Sequence, residues 1–250
     1  MRVIPALLFS IATSAAAQYT YIVPVAGFAL GFENISSTYV HVVNPNVTPA
    51  TLRYQAVYPM RPLVPFSACV LRPAIVLAPH SVYDDLPRAC HEGLHAVVLT
   101  SDQPIEVRAE VFYGVFRNQS VVSKHFEPLD VAGDWTSPDV DVLIPLVKMY
   151  DGYSNANLFI INPNDVTLTV NVHVDRPEAR ATRDLVVHVE PQSLSLTPVP
   201  MIPVPGAGPD PIVVDGIHNL TLHADGRFYA GVSALTDGSP VFRAPIPMQR

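Results

Sequence analysis

The chain has 250 residues, 15 basic against 22 acidic, and a formal net charge of −7, with lysine at Lys124 and Lys148 only. Nucleic-acid and anionic-membrane surfaces need clustered Lys and Arg, so both partner classes are excluded. A hydrophobic fraction of 49% with 26 prolines describes a chain that can fill a core but cannot sustain long helices.

In chain order, Met1-Arg2, the apolar run Val3 to Thr13 and the small residues Ser14-Ala-Ala-Ala17 form the three regions of a secretory signal. Residues 1–17 are therefore expected to be removed, with export of the remainder. No segment approaches the ~20 apolar residues a membrane helix needs, so no membrane span is expected.

Residues 18–122 read as one β-domain. Leu52, Tyr54, Ala56 and Tyr58 alternate with Arg53 and Gln55, and Ile105, Val107, Ala109, Val111 and Tyr113 alternate with Glu106, Arg108 and Glu110. Such period-two patterns mark strands with one buried and one wet face. Between them Asn44-Pro45-Asn46 opens a turn over 44–50: proline extends the first Asn and presets its own φ, and the last Asn tolerates a left-handed conformation.

Cys69 and Cys90 are the only cysteines. In an oxidising compartment they would bond, closing a loop of about 20 residues worth about 3 kcal/mol. His91-Glu92-Gly93-Leu94-His95 matches the zinc-hydrolase pattern HExxH, which requires a helix to bring the two histidines together. Gly93 and the β-rich run behind it oppose a helix, and on a strand the histidines lie about 13 Å apart.

Ser123 to Pro138, with the only Trp, Trp135, reads as a linker, taken as 123–138. Residues 139–250 then form a second β-domain. Asp139, Asp141, Asp151, Asn155 and Asn157 crowd its start, an oxygen-rich set that solvated turns explain and that could alternatively hold Ca²⁺. Leu168, Val170, Val172 and Val174 alternate with Thr169, Asn171, His173 and Asp175, and Asn162-Pro-Asn164 repeats the earlier turn.

The second half repeats the first. Tyr39-Val-His-Val-Val-Asn-Pro-Asn46 returns as Asn157-Leu-Phe-Ile-Ile-Asn-Pro-Asn164, and Val76-Leu-Ala-Pro-His-Ser81 as His188-Val-Glu-Pro-Gln-Ser193. Gly93, His95 and Asp102 return as Gly216, His218 and Asp225 with constant spacing, which places His95 and His218 at equivalent points of two copies. Strand after strand without helices, in duplicate, predicts an all-β chain of two tandem antiparallel sandwiches.

The landmarks Val23-Pro24-Val25, Asn44-Pro45-Asn46, Leu77-Ala-Pro79-His-Ser81, Gly93 and Asp102 resemble the tandem immunoglobulin-like repeats of exported bacterial proteins. The resemblance implies an immunoglobulin-like fold and a non-enzymatic structural or interaction role, in adhesion, assembly or envelope contacts. Its implied partners are cell-surface proteins or polysaccharides. It implies no catalytic residue, cofactor or metal.

Two alternatives accompany that expectation. A glycan-binding module would stack sugars on Tyr19, Tyr21, Tyr150, Tyr153 or Phe159. The enzyme alternative is a zinc hydrolase on His91, Glu92 and His95. Sequons begin at Asn34, Asn46, Asn118 and Asn219 and are expected to be incidental. Finally, Val23-Pro24-Val25, Ile144-Pro145-Leu146 and Ala244-Pro245-Ile246 are read as edge strands, because proline is tolerated chiefly at an edge. The last either closes copy two within the chain or is donated to a neighbouring molecule; internal closure is expected, with self-association through edge strands as the other route.

Overall fold

A computed structural model describes residues 18–26, 28–30, 34–57, 74–84, 95–117, 120–129, 131–149, 156–200, 202, 216–236, 239–243 and 246–248. Among them there is no α-helix; a single 3₁₀ turn, Pro177–Ala179, is the only helical feature. Everything else regular is antiparallel strand.

The first half contributes β1 (Tyr19–Ala26), β2 (Phe28–Leu30), β3 (Asn34–Val43), β4 (Ala50–Val57), β5 (Ile75–Leu77), β6 (Val82–Tyr83), β7 (His95–Ser101), β8 (Glu106–Arg117) and β9 (Ser120–Leu129). They form two sheets, ordered β1-β7-β4-β5 and β2-β3-β8-β9, with β6 also on β3. Between them lie Val23, Val40, Val42, Leu52, Tyr54, Leu77, Val97, Leu99, Ile105 and Ala109, the buried sides of the alternating strands.

The second half contributes β10 (Asp141–Met149), β11 (Ala156–Asn162), β12 (Leu168–Arg176), β13 (Ala181–Val189), β14 (Ser193–Pro198), β15 (Gly216–Ala224), β16 (Tyr229–Thr236), β17 (Ser239–Arg243) and β18 (Ile246–Met248). Its sheets run β13-β12-β15-β10-β18 and β14-β11-β16-β17 around a second core that includes Ile144, Leu158, Val170, Val172, Leu220, Leu222 and Phe228. The all-β sandwich architecture expected from the alternation is thus present in both halves.

The repeated landmarks turn out to be one hydrogen-bonded knot, built twice. The Asn44 side chain is fully buried. Its Nδ2 donates to the carbonyls of Thr48, Leu77 and Ala78 at 3.0, 3.2 and 3.0 Å, and its Oδ1 accepts from the backbone N–H and Nδ2 of Asn46. Asn162 repeats this with the carbonyls of Val166, Val189 and Glu190, each at 2.9 Å, and with Asn164. The second Asn also reaches the opposite loop, at the Pro104 carbonyl in one copy and the Arg227 carbonyl in the other. Asp102 and Asp225 accept from the N–H of Thr51 and Thr169 at 2.7 and 2.9 Å.

The knot corrects one expectation about the turns. Positive φ falls on His80 and Gln192 (both 51°), not on Asn46 or Asn164. The second Asn is held instead by the first one's Oδ1, an Asx turn that needs no left-handed backbone.

The prolines of β1 and β10 share one local device, although only β1 is the edge strand expected. Each sits in a one-residue register shift, between Val23 and Ala26 against β7 and between Ile144 and Val147 against β15. A bulge removes the need for the N–H that proline lacks. Consequently β10 is not an edge: it lies between β15 and β18, and Ile246 to Met248 pair with Leu143 to Asp141 inside the chain. Residues 123–129, read from the sequence as the start of a linker, belong to β9, which pairs with β8.

The halves meet through a third apolar cluster. Ile22, Val57, Ala96 and Val98, on the outer face of the β1-β7-β4-β5 sheet, pack with Phe159, Ile161, Leu194 and Tyr229, on the outer face of β14-β11-β16-β17. Ala132 and Trp135 flank this seam. The connecting segment is fastened at both ends: Ala132 and Ile22 exchange backbone hydrogen bonds of 2.9 and 3.1 Å, and Thr136 and Phe228 exchange bonds of 2.7 and 3.2 Å. Burial of each large apolar side chain is worth roughly 1.5–3 kcal/mol, so the seam is a substantial joint.

Candidate binding surfaces

The seam covers one outer sheet face of each half, which leaves the outer face of β13-β12-β15-β10 open in the second half. Strand alternation determines what it displays. Val170, Val172 and Val174 point into the core, so Thr169, Asn171 and His173 point out; Leu220 and Leu222 point in, so Thr221 and His223 point out. Register places His173 opposite both Asp184 and Thr221, and His223 opposite Asn171.

The outcome is a polar, hydrogen-bonding field. His173 Nδ1 lies 2.6 Å from Asp184 Oδ1, His223 Nδ1 lies 3.0 Å from Asp141 Oδ1, and Thr169 Oγ1 lies 3.4 Å from His188 Nδ1. A depression of about 450 Å³ runs among Asp141, Asn171, His173, Asp184, Thr221 and His223. Exposed pairs of this kind contribute at most about 1 kcal/mol to folding, so they shape a surface rather than hold a fold. The carboxylates fix both imidazole rings through Nδ1, and Asn171 and Thr221 set further donors and acceptors between them.

A second concavity, of about 570 Å³, lies along the connecting segment. Val131, Gly133, Asp134, Trp135, Thr136, Ser137, Tyr229 and Pro247 line it. Trp135 is half-buried there, one side on the seam. The ring Tyr229 stacks on is that of Phe159, at 6.3 Å.

The residues singled out in the sequence are distributed as follows. His95 begins β7, opposite Ala26, and is buried. A helix carrying the HExxH pair would have to include His95, which is strand instead; His91, Glu92, Gly93 and Leu94 lie outside the described residues. His218 occupies the equivalent place on β15, opposite Val147, as the repeat predicts. Cys69 and Cys90 lie outside the described residues, as do Tyr150, Tyr153 and Asn118.

The oxygen-rich set at the start of copy two is dispersed. Asp141 engages His223 on the open face, Asn157 lies on β11 in the opposite sheet, and Asp139 sits in a turn with its N–H toward Ser137. Asp151 and Asn155 lie outside the described residues. Among the described residues no group of three or more His, Cys, Asp or Glu side chains is arranged to hold a metal.

Of the proposed sugar-stacking aromatics, Phe159 is buried and Tyr21 is partly buried. Phe159 is 1% exposed in the seam, and Tyr21 packs against the first core, its hydroxyl accepting from the Ile105 N–H at 2.9 Å. Of the three that are described, Tyr19 alone is exposed. Asn46 spends its side-chain amide on Asn44 and Pro104, which leaves that sequon no free nitrogen for a glycan.

One buried polar group escaped notice in the sequence. Arg176, 1% exposed at the end of β12, donates from Nη1 to the Ile202 carbonyl at 2.7 Å and lies 3.7 Å from Glu178 through Nε. Beside it the Ile202 N–H approaches His218 Nε2 at 3.4 Å. Burial lowers the His218 pKa below its ordinary 6.5, opposed by the Gly216 backbone and assisted by the Arg176 charge. Gly216 explains itself here: a Cβ at that position would run into the Arg176 guanidinium.

No protein-family model matches the chain, and no curated protein is similar to it. No helix among the described residues is long and apolar enough to cross a membrane.

Proposed function

We propose that this chain is an exported, non-enzymatic interaction protein: two immunoglobulin-like sandwiches joined as one body that presents the open polar face of β13-β12-β15-β10 to a partner. The carrying observation is the seam. It sacrifices one outer face of each sandwich to hold the halves together and leaves a hydrogen-bonding face uncovered. A rigid spacing between two surfaces is what adhesion, assembly or envelope contacts require, because preorganisation reduces the entropy lost on binding.

The ligand this face suits is a neutral, hydroxyl-rich one, a cell-surface polysaccharide or the polar surface of an envelope protein. The glycan reading has one further point in favour: Trp135, in the second concavity with hydroxyls of Thr136 and Ser137 beside it, offers the aromatic plane that Phe159 and Tyr21 do not. Export also carries the expectation of a Cys69–Cys90 bond, which free-thiol labelling under native conditions decides.

The test is binding of the purified, full-length protein to an array of envelope polysaccharides and to immobilised envelope proteins. Asn171→Arg and Trp135→Ala should separate the two surfaces. Loss of binding in Asn171→Arg, with unchanged melting, supports the face; loss in Trp135→Ala alone moves the site to the connecting segment. Substrate turnover that survives repurification overturns the non-enzymatic reading.

A further inference from the structure

We propose that β13 is a docking edge for a second copy of this chain, which adds its own β13 antiparallel about a two-fold axis at Val186. The inference rests on the reading of the chain as an interaction module and names one of its partners.

An edge strand exposes unpaired N–H and C=O groups, and proteins blunt such edges with proline, bulges, shortness or charged side chains. Here β1, β9, β14, β17 and β18 carry Pro24, Pro128, Pro198, Pro240 and Pro247, and β2, β5 and β6 have three residues or fewer. Among the described edges β13 alone has neither proline nor shortness; its protection is limited to the charges of Arg183 and Asp184. It runs nine residues without proline, pairs with β12 in unbroken register from Val189 to Ala181, and has no other strand partner among the described residues.

Its side chains suit a copy of themselves. In a two-fold antiparallel pair, residues facing the same side oppose one another. An axis at Val186 therefore sets Val186 against itself, Asp184 against the other copy's His188, and Leu185 against Val187. Val186 is 56% exposed, an apolar side chain in the middle of a polar face, and self-pairing covers it. Asp184 and His188 are both exposed, and the symmetry makes their pairing twice. Asp184 holds His173 through Oδ1, which leaves its second oxygen to accept from the partner's imidazole. An axis one pair away, at Asp184, would oppose two carboxylates, so the charges select the register. The two five-stranded sheets would then continue as one, with both polar faces on the same side.

The test uses the full-length protein in sedimentation and light scattering, with Val186→Lys and Val186→Cys. Val186→Lys sets two ammonium groups on the axis; because the residue is exposed in the single chain, the variant should melt as the native protein does when diluted to a monomer. Val186→Cys brings two cysteines opposite one another, at a cross-strand spacing a disulfide can bridge. The expected results are twice the chain mass for the native protein, the chain mass for Val186→Lys, and a cross-linked pair for Val186→Cys on mild oxidation. A native protein that stays at the chain mass at its highest soluble concentration overturns the proposal. So does a dimer that survives Val186→Lys or leaves Val186→Cys uncross-linked. A monomer that still binds its polysaccharide or envelope protein removes the pairing and leaves the proposed function standing; turnover by an intact β13 dimer does the reverse.

Discussion

Replacing Asn162 with alanine should unravel the second sandwich from its turn inward. The side chain is fully buried and makes three donations, to the Val166, Val189 and Glu190 carbonyls, and two acceptances, from the N–H and Nδ2 of Asn164. At about 1 kcal/mol for each lost bond, with the partners left in a site that excludes water, the loss is about 3–5 kcal/mol. Asn162→Asp should be worse despite its near-identical shape, because a carboxylate oxygen would face three carbonyl oxygens in place of an amide. Asn164→Ala, which removes only its Nδ2 contacts to Asn162 and the Arg227 carbonyl, should cost about 1–2 kcal/mol. Urea titration followed by intrinsic fluorescence and circular dichroism would rank the three. Asn44→Ala should match Asn162→Ala, since its bonds are the same in kind and number. If Asn162→Ala loses less than about 1 kcal/mol, the knot is ornamental and the reasoning fails.

Three other outcomes follow from named contacts. Because burial lowers the His218 pKa, the unfolded chain binds the extra proton first; stability is complete above about pH 6.5 and is lost as pH falls from there toward the folded value, a slope that His218→Phe should flatten in chemical-denaturation curves taken across that range. Gly216→Ala drives a methyl group into the Arg176 guanidinium and should destabilise the second sandwich by about 1–3 kcal/mol in the same assay; a neutral result would mean that Arg176 moves aside freely. Ending the chain after Arg243 removes β18 from β10 and should lower the melting temperature of the second half, whereas a truncated protein that melts like full length would show that this pairing is idle.

The sequence displayed the repeat because its landmarks are structural necessities. Asn44 and Asn162, Asp102 and Asp225, and Ser81 and Ser193 recur since each closes a specific backbone bond, and their order alone located the turns. Alternation along Leu168 to Val174 likewise gave the inward and outward faces of β12. What period-two reading hid was the seam, where both faces of a strand are buried. Its trace was in plain view: Leu158-Phe-Ile-Ile161 and Ala96-Val-Val-Leu99 are continuous apolar runs, the signature of strands covered on both sides. Phe159 was therefore misplaced at the surface. The open face was less legible, because His173 and Asp184, or His223 and Asp141, become neighbours only through strand register. Nor does Arg176 look unlike any surface arginine until Ile202 and Gly216 close over it.

The account stands on the two sandwiches acting as one body, and calorimetry of the native protein against Phe159→Ala tests this most directly. Phe159 is in the middle of the seam and outside either sandwich core, and its truncation should remove about 3–5 kcal/mol of packing between the halves. The native protein should melt in one coupled transition that Phe159→Ala splits into two. Two independent transitions in the native protein, unmoved by Phe159→Ala, would contradict it.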